Sequence, residues 1–318
     1  MNQDVYQSRT DARIIERSLG VTVDSADGSV PPLVCRWPEG MAPKGFVIFC
    51  HGLSASGRDY AALSKHWAAH GYLVIHPTFP DWIGAVAKAE TQLGLDPASD
   101  LSGWADDPEV RARMYEILHT PSYWLERIRI VGQVMDALDE VLDATCGRQI
   151  APISGAIAGH SFGAYTSQLF AGAEIDLPGE GSRTFKDDRF GAAILLSAQG
   201  RDQQGLREGS WDGIDGPMLN VTGTRDGGAK GQDWHWKVEP YEFAPAGDKY
   251  LAVLTDADHY LGGIARPDQS PVSEQRDAVE RLTLAFLDAY LTDDAAAKAW
   301  LDKTGDLIGD CPLLFRRK

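Results

Sequence analysis

The stretch Ile153-Ser154-Gly155-Ala156-Ile157-Ala158-Gly159-His160-Ser161-Phe162-Gly163-Ala164 decides the fold of this chain. The run from Ile153 to Ala158 is typical of a buried strand, whereas Ala164 to Ala171 suits a helix. Only Gly159 to Gly163 remains for the turn, where flanking glycines remove Cβ atoms that would clash. The pattern predicts that Ser161 sits exposed on a strained turn at the top of a sheet. Because the pentapeptide alone also occurs by chance, this prediction depends on the strand before it and the helix after it.

Outward from this turn, short apolar runs alternate with helical stretches. Such alternation is typical of a mostly parallel sheet with helices on both faces. The sequence therefore predicts an α/β fold with a doubly wound sheet. An antiparallel N-terminal edge precedes it, formed by Ile14 to Val23 and Val30 to Trp37. The predicted core strands are Gly45 to Cys50, Tyr72 to Phe79, Ile153 to Ala158, Gly191 to Ser197, Pro217 to Thr222 and Lys249 to Thr255.

Apolar residues at three-and-four spacing predict helices over Tyr123 to Ala144 and Ala278 to Leu291, and a short one over Asp293 to Leu301. The segment from Pro80 to Pro121 is too long for a tight connection, so we expect a decorated loop at about residues 80–122. It follows the carboxyl end of a strand, where open α/β sheets bind their ligands. With no linker or internal repeat, one domain is expected over residues 1–318.

Composition disfavours several classes of function. The chain of 318 residues has a formal net charge of −16, which repels phosphate backbones and disfavours nucleic acid as a partner. No apolar run approaches the roughly 20 residues of a membrane span, and the first 20 residues do not resemble a secretory signal. The four cysteines lack a CxxC pair, so we expect free thiols and a cytoplasmic location. The sequence leaves the oligomeric state open.

A second turn, Phe49-Cys50-His51-Gly52-Leu53-Ser54, ends an earlier strand. Gly52 permits close approach of the backbone to a reacting carbonyl, so the backbone amides of Leu53 and Phe162 are the predicted oxyanion donors. His51 is expected to shape this turn rather than to react.

A serine hydroxyl is a weak nucleophile and needs a base, and chain order around such a turn runs serine, acid, histidine. His259 follows the last predicted core strand and is the expected base, whereas His235 is expected in a pocket wall or at the surface. Asp226 follows the strand before it and is the expected acid, with Asp202 as the alternative. Asp256 and Asp258 are expected to stabilise a local turn.

Together these residues resemble the α/β-hydrolase superfamily, and within it the platelet-activating-factor acetylhydrolase, dienelactone-hydrolase-like and polyester-hydrolase relatives. His51-Gly52-Leu53 with Gly159 to Gly163 is similar to the acetylhydrolase pattern, as is Ala69-His70-Gly71-Tyr72-Leu73-Val74. The resemblance implies that the Leu53 and Phe162 amides form the oxyanion hole. Two departures stand out. First, Leu196-Ser197-Ala198 contains no acidic residue where acetylhydrolases carry their acid, so the resemblance implies Asp226 as the acid, as in polyester hydrolases. Second, Ser161 stands where dienelactone hydrolases have a cysteine nucleophile.

These predictions imply acyl transfer to water, with a small-molecule carboxylic ester as substrate and thioester or amide cleavage as variants. The sequence contains no HExxH motif, clustered Cys/His ligands or P-loop, so we expect no metal and no organic cofactor. A non-catalytic binding module on a hydrolase scaffold is the alternative from another class.

Aromatic residues in or beside the loops at the strand ends predict an apolar substrate cleft. The ordinary alternative is that such residues form small cores under the loops. The residues are Trp82, Trp104, Tyr123, Trp124, Trp211, Trp234 and Trp236.

Overall fold

The computed structural model describes residues 6, 12–19, 33–147, 154–265 and 271–318. Within them, ten strands form one large sheet flanked by nine helices, and two more strands form a separate ribbon. The strands are β1 (Ile14–Leu19), β2 (Leu33–Pro38), β3 (Gly45–Cys50), β4 (Tyr72–His76), β5 (Gly155–His160), β6 (Glu174–Leu177), β7 (Gly181–Thr184), β8 (Phe190–Leu196), β9 (Met218–Gly223), β10 (Lys249–Leu254), β11 (Leu307–Ile308) and β12 (Cys311–Arg317). The helices are α1 (Ala61–Ala69), α2 (Ile83–Ala89), α3 (Pro108–Leu118), α4 (Pro121–Asp136), α5 (Leu138–Thr145), α6 (Phe162–Ala171), α7 (His235–Phe243), α8 (Ser273–Leu291) and α9 (Ala295–Lys303).

The large sheet runs in the order β1-β2-β4-β3-β5-β8-β9-β10-β12-β11. Strands β4, β3, β5, β8, β9 and β10 pair in parallel, whereas β1, β2, β12 and β11 pair antiparallel at the two edges. Cys50, the last residue of β3, lies opposite Gly159 of β5. This register brings the turn after β3 beside the turn that holds Ser161, because parallel strands end at the same edge of a sheet.

The core lies on both faces of the sheet because successive side chains of a strand point to opposite faces. Val47 and Phe49 of β3 pack in one cluster with residues of α1 and α8, whereas Ile48 and Cys50 pack in another with residues of α4. All four side chains are fully buried. Burial on both faces explains why the central strands read as continuous apolar runs.

The α/β fold with its antiparallel N-terminal edge is confirmed, and the differences concern element boundaries and additional elements. The predicted helix Tyr123 to Ala144 is interrupted at Ala137, whose φ of −94° and ψ of 13° separate α4 from α5. The predicted loop at residues 80–122 contains α2, α3 and two short 3-10 helices, Thr91–Leu93 and Trp104–Asp106. The ribbon β6-β7 and the C-terminal pair β11-β12 were not predicted.

Some predicted features fall on residues that are not described. The predicted first edge strand is described only as far as Leu19, and residues 20–32, which include the start of the second edge strand, lie outside the described part. Residue 153, at the start of the predicted central strand, also lies outside it. All four cysteines are free thiols, as predicted. Among the described helices, none combines the length and apolar character that crossing a bilayer requires.

Candidate active site

Ser161 lies on an abrupt turn between β5 and α6. Its backbone adopts φ 54° and ψ −119°, a region that residues other than glycine rarely occupy. A Cβ atom on Gly159 would lie 2.3 Å from the backbone of Gly163, and one on Gly163 would lie 1.8 Å from the Cys50 carbonyl oxygen. The Ser161 amide donates to the Leu196 carbonyl at 2.9 Å. The two glycines are therefore required for the turn to pack this closely.

The loops after β9 and β10 bring an aspartate to a histidine. Asp226 is fully buried, and its Oδ1 accepts a hydrogen bond of 2.8 Å from Nδ1 of His259. The hydroxyl of Thr222 donates to the other carboxylate oxygen at 2.8 Å. His259 and Ser161 line the same cleft. The three predicted catalytic residues thus lie at one edge of the sheet.

The alternative acid and base lie elsewhere. Asp202 lines a separate shallow groove, and its amide donates to the Leu206 carbonyl. His235 is exposed at the start of α7, with Nδ1 3.1 Å from Oδ1 of Asp233. The hydrogen bond from His259 therefore favours Asp226 over Asp202, and its place in the cleft favours His259 over His235, which does not line the cleft in the described structure.

Two polar residues that sequence reasoning missed contact this pair. Ser197 follows β8 with a φ of 57°, and its Oγ lies 2.9 Å from Nδ1 of His259. Lys237 on α7 is 2% exposed, and its Nζ lies 3.9 Å from Oδ1 of Asp226. The same ammonium donates to the Ser197 carbonyl at 3.3 Å. The position where acetylhydrolases carry their acid is thus occupied by a serine that contacts the histidine.

These contacts determine the charge state of Asp226. Burial acts to raise the pKa of its carboxyl, but the charges of Lys237 and His259, with hydrogen bonds from His259 and Ser197, hold that pKa well below its ordinary value. Burial lowers the pKa of the Lys237 ammonium, and the charge of Asp226 opposes this shift. Asp226 is therefore ionised near neutral pH.

A chain of hydrogen bonds joins the turn after β3 to the histidine loop. The Gly52 amide donates to the Tyr60 hydroxyl at 3.0 Å, and this hydroxyl lies 2.9 Å from Nδ1 of His160. Nε2 of His160 lies 2.7 Å from the His259 carbonyl, which only accepts, so Nε2 carries the proton and Nδ1 accepts from Tyr60. Burial, followed by the charge of His259, lowers the pKa of His160 to about 3. A neutral His160 therefore connects the two loops.

The turn that carries Leu53 is fixed from behind by His51 and Arg127. His51 accepts from the Phe79 amide through Nε2, and its Nδ1 lies 2.7 Å from the Gly52 carbonyl. Burial, and then the charge of Arg127, lower the pKa of His51 to about 4. With both ring nitrogens bonded to backbone, His51 has a structural role in this turn.

Arg127, which sequence reasoning also missed, is fully buried on α4. Its guanidinium donates two bonds to the buried carboxylate of Asp81, at 2.9 and 2.6 Å, and a third to the His51 carbonyl at 2.9 Å. It also lies 4.0 Å from the ring centre of Phe162. One buried ion pair therefore supports both turns whose amides are the predicted oxyanion donors.

Leu53 and Phe162, the predicted donors, lie at the turns that follow β3 and β5. Leu53 lines the cleft, and Phe162 is the first residue of α6, where a helix leaves its initial amides without intrahelical partners. The positive end of the helix dipole lies at the same place. Negative charge developing on a substrate oxygen beside Ser161 would be stabilised there.

The cleft has a volume of about 420 Å³ and a mixed polar and apolar wall. Trp104, Tyr115 and Trp236 contribute aromatic surface. Apolar residues such as Leu53 and Leu118 also line the cleft, together with polar side chains that include those of Asp59, Lys237 and the three glutamines Gln199, Gln203 and Gln204. The cleft is therefore more polar than the sequence predicts.

The prediction of an aromatic cleft needs correction, since only Trp104 and Trp236 of the seven residues line the cleft in the described structure. Trp124 and Trp211 are buried in the core, and their indole nitrogens donate to the Leu118 carbonyl and to Gln168. Trp234 stacks on the adjacent His235, with ring centres 3.8 Å apart. Trp82 and Tyr123 pack on a small cluster beneath the segment of residues 80–122. These residues fill apolar space under the loops, as in the ordinary alternative.

In the part of the chain that the structure describes, no group of three or more His, Cys, Asp or Glu side chains is arranged to hold a metal ion.

Comparison with known proteins gives distant and partial similarity. No family model matches the chain. The chain is 25% identical over 88 residues to "Chlorophyllase-1, chloroplastic" of Citrus sinensis, an alignment that covers 26% of each protein. The chain thus spans about a quarter of the length of this curated relative. The similarity is therefore confined to a short segment of each protein.

Proposed function

We propose that this protein is a serine hydrolase that cleaves carboxylic esters through an acyl-enzyme on Ser161. The observation that carries the proposal is the 2.8 Å bond between Nδ1 of His259 and the buried carboxylate of Asp226. Because Nδ1 donates this bond, the neutral imidazole has a free lone pair on Nε2. A base of this kind lines one cleft with a serine on a strained turn, which supports nucleophilic catalysis.

The proposed reaction begins when Nε2 of His259 takes the proton of Ser161 Oγ as this oxygen attacks the ester carbonyl. The carbonyl oxygen becomes an oxyanion, which the backbone amides of Leu53 and Phe162 stabilise. When the C–O bond to the alcohol breaks, His259 returns the proton to the departing oxygen. The product of this half-reaction is an acyl group on Ser161.

The second half-reaction repeats these roles with water as the nucleophile. His259 takes a proton from water, the hydroxide oxygen attacks the acyl carbon, and the proton passes to Ser161 Oγ as the acid leaves. Asp226 keeps the imidazole in its working tautomer and stabilises the transient imidazolium. Thioesters and amides would follow the same steps with a different leaving group.

Hydrolysis of p-nitrophenyl butyrate by wild-type protein and by Ser161→Ala tests the proposal. We expect turnover by the wild type, and for the variant at most roughly 10³-fold acceleration over water, which oxyanion donors alone supply. Ser99→Ala changes an exposed loop serine and is the control. A non-catalytic binding module would show no turnover in any form, and a fully active Ser161→Ala variant would exclude Ser161 as the nucleophile.

A further inference from the structure

The loop after β8 places three glutamines against the catalytic cleft. Gln199, Gln203 and Gln204 line the same space as Ser161 and His259. Each glutamine is at most 6% exposed. Buried amide groups nearly always have hydrogen-bond partners, so the partners of these three side chains are informative.

Each glutamine keeps one polar atom without a partner among the residues that the structure describes. The unpaired atoms are Oε1 of Gln199, Nε2 of Gln203 and Oε1 of Gln204. A water-sized group does not reach these atoms in this conformation, so solvent does not replace the missing bonds, and a ligand in the cleft reaches them only when the amides turn toward it. Three such groups beside one cleft point to a ligand that supplies the missing partners.

In two of these glutamines, the other polar atom of the amide group makes a hydrogen bond. Nε2 of Gln204 donates to the Leu118 carbonyl at 3.1 Å, which leaves its Oε1 as an acceptor. The Gln203 amide lies 3.2 Å from Nε2 of His119, whose Nδ1 is bonded to the Tyr115 carbonyl. Because an amide can present either its oxygen or its nitrogen to a histidine nitrogen, the atom of Gln203 that remains free is either an acceptor or a donor. A hydroxyl group suits both cases, since its single oxygen both donates and accepts.

The loop is strained and clamped in place. Asp202 and Gln204 adopt φ values of 65° and 52°, which non-glycine residues rarely adopt. Helix α7 holds the loop: the Arg201 amide donates to Glu239 at 2.7 Å, and the Trp236 indole donates to the Arg201 carbonyl at 2.8 Å. The backbone of the loop is thus held in place, while the terminal torsion of a glutamine is soft enough to turn its amide toward a ligand.

Gln203 and Gln204 also line a second, shallow groove that opens to solvent, together with His119, Asp202 and Lys230. The polar wall therefore continues from the cleft toward the surface. A substrate with a polar substituent would find hydrogen-bonding groups along this whole path, whereas a plain alkyl chain would leave them unpaired.

We infer that this glutamine wall, Gln199, Gln203 and Gln204, recognises hydroxyl groups of the substrate, so that the preferred esters carry hydroxyls. The inference rests on the proposed ester hydrolysis and names its substrate class. It replaces the apolar substrate cleft that the sequence predicts. A site built to bond a hydroxyl discriminates strongly against the analogue that lacks it, because its own polar groups then stay unpaired.

Two matched pairs of esters test the inference in a pH-stat assay. One pair is p-nitrophenyl butyrate and p-nitrophenyl 3-hydroxybutyrate, and the other is propyl acetate and glyceryl monoacetate. We expect the hydroxylated member of at least one pair to have a kcat/KM at least about tenfold higher. The pair that shows the preference assigns the hydroxyls to the acyl or to the alcohol part.

Gln199→Met and Gln204→Met should bring this ratio close to one. The control is Gln133→Met, because Gln133 also has an unpaired amide oxygen but does not line the cleft. Thermal unfolding checks that each variant is folded. Hydrolysis without preference in either pair, or a preference that survives both cleft substitutions, would overturn the inference and leave the proposed function intact. If neither pair is hydrolysed, the proposed function itself fails.

Discussion

Lys237→Met should move the acid limb of the pH profile of kcat/KM to higher pH. Nζ of Lys237 lies 3.9 Å from Oδ1 of Asp226, which is itself 2.8 Å from Nδ1 of His259. The ammonium is therefore at most about 7 Å from the imidazole ring nitrogen, and its positive charge opposes protonation of the ring. With an effective dielectric constant of about 20, Coulomb's law gives ~2.4 kcal/mol at this distance, or between one and two pH units.

The other titratable groups that face His259 do not change the direction of this expected shift of the acid limb. His160 is neutral because its pKa is lowered to about 3, and Tyr260 packs edge-on against the His259 ring. Removal of Lys237 also takes away one influence that lowers the pKa of Asp226, but the bonds from His259 and Ser197 remain. Asp226 should therefore stay ionised over the range in which the acid limb is measured.

The assay is kcat/KM for p-nitrophenyl butyrate between about pH 4.5 and 9. Lys249→Met serves as the matched control, because Lys249 is also buried but lies at the start of β10, the opposite end from His259, and its ammonium bonds the Gly247 carbonyl. We expect the acid limb of Lys237→Met to shift upward by about one to two pH units and that of Lys249→Met to stay in place. An unchanged or lowered acid limb in Lys237→Met would refute the electrostatic reasoning.

Three further predictions concern the acid Asp226 and the buried ion pair of Arg127 with Asp81. Asp226→Asn should lower kcat by roughly 10⁴-fold, whereas Asp202→Asn should change it little; a severe loss at Asp202 alone would contradict the assignment. Because the pKa of Asp226 is depressed in the folded protein, its ionised carboxylate stabilises the fold above about pH 4, and this stabilisation is lost as the pH falls further. Urea unfolding should therefore show a steeper loss between about pH 5 and 3 in wild type than in Asp226→Asn. Asp81→Asn should cost about 3–5 kcal/mol of unfolding free energy because it leaves Arg127 buried without its counter-charge, and a loss below about 1 kcal/mol would contradict this.

Much of the fold follows from local pattern. Strands that are apolar on both faces, such as β3 and β5, signal their position in the middle of a parallel sheet, and the glycines at residues 159 and 163 signal the turn between β5 and α6. Because the carboxyl ends of parallel strands meet at one edge, chain order favoured His259 as the base and Asp226 as the acid, with Asp202 as the alternative acid. Their role in catalysis remains a prediction.

The missed features depend on contacts that are distant in sequence. Lys237 lies among Trp234, His235 and Trp236, and nothing in that run indicates that the ammonium is buried beside Asp226. The ion pair of Arg127 with Asp81 joins residues 46 positions apart. A local signal did exist for β12, where Cys311, Leu313 and Phe315 are buried at alternate positions.

The aromatic residues show the limit of loop-based reasoning. Tryptophans beside strand ends can line a cleft or pack beneath a loop, and the outcome depends on which way the connecting helices turn. Helix α4 turns Trp124 into the core, whereas the 3-10 helix at Trp104–Asp106 leaves Trp104 on the cleft wall. The periodicity of apolar residues does not predict this orientation, because packing between segments determines which way each aromatic side chain points.

Covalent labelling tests the central claim, that Ser161 is an activated nucleophile, most directly. A fluorophosphonate probe reacts with serines that a base activates, and peptide mass spectrometry identifies the labelled residue. We expect one adduct on Ser161 in the folded wild type, an unchanged adduct in the control Ser99→Ala, and none in Ser161→Ala or in denatured protein. Absence of label on folded wild-type protein, or label on a different serine, would contradict the account.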